Sequence, residues 1–122
     1  MTSVLNVDTI ADKAGTGPVG LTKQSAAKCF AQYDQSSGLT LNDSLNVSST
    51  SDDSTGDSTH NWTNNYDTST YALGGMGGHD VGTRVLTTTA KSASSISLTL
   101  SNSSQAGIDE NDVSYIGHGD LA

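Results

Sequence analysis

In 122 residues the chain has one cysteine, one proline, one tryptophan and only five basic side chains. The solitary thiol, Cys29, excludes an intrachain disulfide framework, and its place between Lys28 and Phe30 suits a small hydrophobe buried in a strand. Lys13, Lys23, Lys28, Arg84 and Lys91 are scattered, while 13 acidic residues bring the formal net charge to −8. Such a chain repels phosphate backbones and anionic headgroups, so nucleic acid is not expected as a partner. No apolar run approaches the eighteen or so residues of a membrane-spanning helix, and Met1–Asn6 lacks the basic and apolar regions of a signal peptide. These features predict synthesis in a cytoplasm and no membrane insertion.

Apolar residues are also scarce, at 33% of the chain against about 45–50% in an ordinary globular protein. Ser and Thr fill the gap, which leaves a lone subunit poorly provided with core residues. The low charged fraction, 15%, and recurrent apolar alternation argue against disorder. The expectation is a thin β fold that completes its core against copies of itself.

Residues 1–24 read as an extended arm. Val4-Leu5-Asn6-Val7-Asp8-Thr9-Ile10 alternates imperfectly and is followed by Ala14-Gly15-Thr16-Gly17-Pro18-Val19-Gly20, where glycine and proline break any regular element. Val4, Leu5, Val7, Ile10, Val19 and Leu21 need an apolar surface to cover, and so are candidate interface residues toward a neighbouring subunit or another protein. Residues 25–122 read as an antiparallel β-sandwich or jelly-roll-like domain. Its candidate strands are Ala27 to Tyr33, Leu39 to Val47, Ser58 to Thr63, Tyr71 to Gly74, Thr83 to Thr89, Ser94 to Leu100 and Val113 to Gly117. In Ile96-Ser97-Leu98-Thr99-Leu100 the period of two puts three aliphatics on one face. A brief helix after Ser25 lacks the Glu or Gln that completes a capping box.

Two stretches resemble proteins of marine bacteriophage surfaces. The opening, Val4 to Val19, is similar to the start of tail-fibre-like proteins. Lys28-Cys29-Phe30, Ser44-Leu45-Asn46-Val47-Ser48-Ser49 and Gly56-Asp57-Ser58-Thr59, running to Asn61-Trp62-Thr63 and Tyr71, match a pattern of strand, tight polar turn and strand. Ser58 and His60 depart from it, standing where an aromatic and an aliphatic residue are expected. The resemblance implies a non-enzymatic virion protein on the tail or capsid exterior, assembled as a homotrimer. It would be a short tail fibre or head fibre that docks by its arm to other virion proteins and presents its β domain to a host-surface glycan or protein. A capsid decoration protein bracing the shell is the near alternative, and a glycan hydrolase, tested at Asp57 or His79, is the distant one.

The sequence itself offers little chemistry. Gly74-Gly75-Met76-Gly77-Gly78-His79-Asp80 reads as a mobile surface loop, since the following helix and lysine of a phosphate cradle are missing. No His-Glu-x-x-His, calcium-loop or Gly-x-Ser-x-Gly pattern occurs, so no catalytic, cofactor or metal residue is nominated. Most aromatics should be core or subunit-interface residues. Tyr66, Met76 and His79 are the candidate receptor contacts.

Overall fold

The computed structural model describes residues 26–78 and 82–122, as eight strands in two antiparallel sheets with no helix among them. The predicted arm, including Val4, Leu5, Val7, Ile10, Val19 and Leu21, lies outside the described residues, as does His79. The strands are β1 (Cys29–Asp34), β2 (Thr40–Leu45), β3 (Val47–Ser54), β4 (Asp57–Trp62), β5 (Ala72–Gly77), β6 (Arg84–Lys91), β7 (Ser95–Asn102) and β8 (Val113–His118). One sheet has the order β2-β1-β8-β5 and the other β3-β4-β7-β6. The all-β sandwich expected from the alternation is the fold that forms.

The central strands build the interior. On β1, β4, β7 and β8 every second residue is buried, which puts Cys29, Ala31 and Tyr33 against Ile96, Leu98 and Leu100 across the sandwich. Trp62, Tyr66, Tyr71 and Tyr115 close one end with edge-on rings 5.7–6.3 Å from Trp62 and with Tyr66 stacked on Tyr71 at 3.9 Å. The outer strands β2, β3 and β6 are largely exposed.

One copy therefore seals its own interior, contrary to the expectation drawn from its poverty in apolar residues. Five of the six aromatic side chains are at most 4% exposed, and each covers far more area than an aliphatic would. A few large rings, three on central strands and two in the β4–β5 connection, replace many small residues spread over all eight.

Three local expectations are corrected. The run Leu39 to Val47 is not one strand, because Asn46 adopts φ 62° and bends the chain from one sheet into the other. Its side chain holds the bend from both sides: Nδ2 donates to the Asn64 carbonyl at 3.0 Å and Oδ1 accepts from the Asn64 amide at 2.7 Å. Asn tolerates this left-handed region better than other non-glycine residues. Asn46→Ala should lower unfolding free energy by about 1–2 kcal/mol through the lost hydrogen bonds and backbone strain, while Asn46→Gly recovers part of the loss. A urea midpoint unchanged in the alanine variant would rule this hinge out.

The second correction is β3 itself, whose Ser-Thr-Ser-Asp-Asp run reads as a turn but pairs with β4 along its length. The actual turn is Thr55-Gly56, where Gly56 at φ 79° lies so close to Leu100 and Ile108 that a side chain has no room. The third is the first half of the glycine-rich segment: Gly74 to Gly77 belong to strand β5 and not to a mobile loop. On its inner face Leu86 and Leu100 come within 2.6 and 2.3 Å of where Gly75 and Gly77 would carry a Cβ. Glycine is needed there for close packing, not for mobility.

Candidate functional site

The period of two that buries one face of each sheet decides what the other face shows. On β1, β8 and β5 the inward set is Cys29, Ala31 and Tyr33 with Val113, Tyr115 and Gly117, so Phe30, Ile116 and Gly74 must point out. The pairings Leu45↔Phe30, Phe30↔Ile116 and Ile116↔Gly74 align these four in one row across the whole sheet. Leu45 and Ile116 are each 46% exposed and Met76 is 72% exposed. No atom lies within 4 Å of the Cβ that Gly74 lacks. The result is a shallow apolar groove of ≈ 440 Å³, floored by glycine and walled by Phe30, Met76 and Ile116.

The opposite face of the sandwich is polar apart from Val85, which is 46% exposed on β6. Outward from β3-β4-β7-β6 stand Ser51, Thr59 and Ser97 in one row and Asp57, Thr99 and Thr87 in the next. The Thr59 and Ser97 hydroxyls meet at 2.8 Å, and Thr59 also donates to Asp53 at 2.6 Å. Thr99 and Ser54 both donate to Asp57, and these two hydrogen bonds hold its carboxyl below the usual range. Asp57, the residue on which a hydrolase reading would turn, is here a strand-pairing carboxylate. Among the described residues no group of three or more His, Cys, Asp or Glu is placed to hold a metal.

Inside, two polar residues of β4 come together. Ser58 and His60 are 1% and 0% exposed, with Ser58 Oγ 3.1 Å from His60 Nε2. The imidazole lies 4.7 Å from the Tyr33 ring and edge-on to Tyr115 at 5.2 Å. Burial pulls His60 down to about 4, opposed more weakly by the charge of Asp53. It also pushes Tyr33 up to about 12, against a hydrogen bond from Ser58. A serine beside a histidine invites comparison with a nucleophile and its base, but this pair fails the geometry. No substrate reaches it, Nδ1 has no partner to orient the ring, and an imidazole titrating near 4 is a poor base at neutral pH.

Of the candidate receptor contacts, Met76 stands at the groove. Tyr66 does not face a ligand: it is 1% exposed, its face is taken by Tyr71, and its hydroxyl donates to Cys29 Sγ at 3.1 Å. Its position among Asn64, Asn65 and Asp67 suggests a surface turn, but the turn folds the ring inward over the end of the core. Sequence reasoning missed Phe30, Leu45 and Ile116, although the alternation that buries Tyr115 already demands that Ile116 face outward. Comparison with protein families, curated proteins and solved structures returns no match for this chain.

Proposed function

We propose that the chain is a non-enzymatic structural subunit of a bacteriophage particle, a short tail fibre or head fibre. It docks through its N-terminal arm, assembles with copies of itself, and turns its hydroxyl-rich sheet toward water and the host surface. The observation that carries this reading is the chemical opposition of the two outer faces. One bears a continuous apolar row, Leu45, Phe30, Ile116 and Gly74; the other bears only hydroxyls, amides and carboxylates along β4 and β7.

A subunit with one apolar and one polar face is suited to assembly, because the first gains by being covered and the second keeps the exterior hydrated. The net charge of −8 keeps such assemblies apart in solution. The resemblance to phage surface proteins supports the reading at Ser44 to Ser49 and Gly56 to Thr63, which form the Asn46 bend and the β3–β4 hairpin.

Two measurements test it. Light scattering of the purified protein should give a mass several times that of one chain, with three the expected number; a stable single chain counts against assembly. Quantitative mass spectrometry of purified particles should find a handful of copies per particle. Hundreds of copies would replace the fibre by a capsid decoration protein, and none would remove the virion reading.

A further inference from the structure

The register of the sheet β2-β1-β8-β5 sets two further rows of outward side chains, one on each flank of the apolar row. On one flank Asp43, Gln32, Ser114 and Met76 follow one another across the strands. On the other stand Lys28, His118 and Ala72, because Lys28 precedes the inward Cys29 and Ala72 pairs with His118. A long apolar side chain and a carboxylate thus share the first flank, and a small residue and a lysine share the second.

We infer that this face pairs with the same face of a second copy, about a two-fold axis running along the row of Leu45, Phe30, Ile116 and Gly74. Such an axis reverses the strand direction and keeps each strand opposite itself, so the first flank of each copy lies over the second flank of the other. Aligned sheets pack about 10 Å apart with their strands within about 30° of each other, which keeps rows next to the axis in register. On β5 Met76 then descends on Ala72 of the second copy. Met76 is 72% exposed, Ala72 is exposed as well, and nothing lies within 4 Å of the Cβ that Gly74 lacks. Each copy therefore offers a knob on one side of the axis and a hollow on the other, and the methionine of one enters the ≈ 440 Å³ groove of its partner. No open sheet edge is needed, since the contact uses the side of β5 that faces away from Leu86 on β6.

Charge selects the same axis. It places Lys28 of one copy over Gln32 of the other, and Gln32 is flanked by two carboxylates. Asp43 is its pairing partner on β2, and Asp112 accepts from its Nε2 at 3.0 Å. Among the described residues Lys28 makes no ion pair within its own chain. A two-fold axis parallel to the strands would instead set Met76 over Asp43 and Lys28 over His118, losing both complementarities. Because bulge meets hollow and cation meets acid under one operation, the surface fits a copy of itself better than an unrelated partner.

Four strands about 4.8 Å apart and about 20 Å long give a contact at the small end of specific interfaces, so the pair should be reversible in the micromolar range. Repulsion between two chains of net charge −8 is screened beyond about 8 Å at physiological ionic strength. The two-fold contact deepens the proposed assembly of copies and rests on it only for its place in a particle. Alone it yields two chains, and between three-fold groups it yields six.

The test is sedimentation equilibrium of the full chain at physiological salt, from micromolar to near-millimolar concentration. It is repeated for Met76→Lys, Lys28→Asp and the double variant Lys28→Asp/Asp43→Lys. None of these side chains belongs to the core, and cooperative thermal unfolding like the parent's would show that each variant folds. The parent mass should rise with concentration to two or six chains, while Met76→Lys stays at one or three. Lys28→Asp should weaken pairing about tenfold or more, as like charges meet on both sides of the axis, and adding Asp43→Lys should recover most of the loss. A parent that remains at one or three chains, or an even-numbered assembly that Met76→Lys leaves intact, overturns the contact. A double variant as weak as Lys28→Asp overturns the axis. Masses of three or six support the three-fold group of the proposed fibre and masses of one or two count against it, whichever way the pairing falls.

Discussion

Replacing Trp62 by alanine should lower the free energy of unfolding by about 3–5 kcal/mol, the cost of truncating a large buried aromatic. Trp62 is 4% exposed at the end of β4 and makes edge-on contacts with Tyr66, Tyr71 and Tyr115 at 5.7–6.3 Å. A domain of this size has about 5–15 kcal/mol in total, so the variant should sit close to its folding threshold. Denaturant titration measures the loss directly. A change below about 1 kcal/mol would mean that the aromatic end is not the keystone of the core. Tyr66→Phe, which removes only the hydroxyl bonded to Cys29 Sγ, should cost far less and so separates ring packing from the hydrogen bond.

Acidification should destabilise the protein well before its carboxylates titrate. His60 is fully buried and its imidazole is held down to about 4, mainly by burial. The unfolded chain accepts a proton there below about pH 6.5, and the folded chain refuses it until about pH 4. Through that window the unfolded state binds more protons, so stability is full above pH 6.5 and falls as the pH drops toward 4. The loss amounts to about 3 kcal/mol. Asp34 and Asp57, whose carboxyls are held low by hydrogen bonds from Ser36 and from Thr99 and Ser54, add their own losses only below about pH 4. His60→Leu should abolish the slope between pH 6.5 and 4. At pH 7 it should stay within about 1 kcal/mol of the parent, since it removes the hydrogen bond to Ser58 together with a buried nitrogen that has no partner. Urea titrations at pH 7, 5.5 and 4.5 compare the two chains. An unfolding free energy that does not move for the parent over this range would show that His60 is not buried as a neutral ring.

The site was only partly legible in advance, for reasons that differ residue by residue. Met76 was singled out for its unusual glycine neighbourhood and does stand exposed, but the same glycines suggested a loop where the chain forms β5. Composition cannot separate glycine that frees a backbone from glycine that makes room, and only Leu86 and Leu100 approaching Gly75 and Gly77 distinguish them. Tyr66 failed for the converse reason: its polar neighbours say that the chain turns, not which way the ring points afterward. Ser58 and His60 were visible as departures from a pattern, yet their meeting with Tyr33 and Tyr115 depends on the facing sheet.

The all-β class and the shared face of Ile96, Leu98 and Leu100 on β7 were set by local chemistry, since alternation of period two puts successive side chains on opposite sides whatever the rest of the chain does. The absence of basic clusters and of paired cysteines was equally plain from the residues alone. Tertiary structure decided the rest: the bend at Asn46, the pairing of a Ser-Thr-Asp run as β3, the closure of the core by rings from separate segments, and the union of Leu45, Phe30, Ile116 and Gly74 in one row. Each depends on which strands become neighbours, and pairing between distant segments is governed by packing and register that no short window of sequence contains.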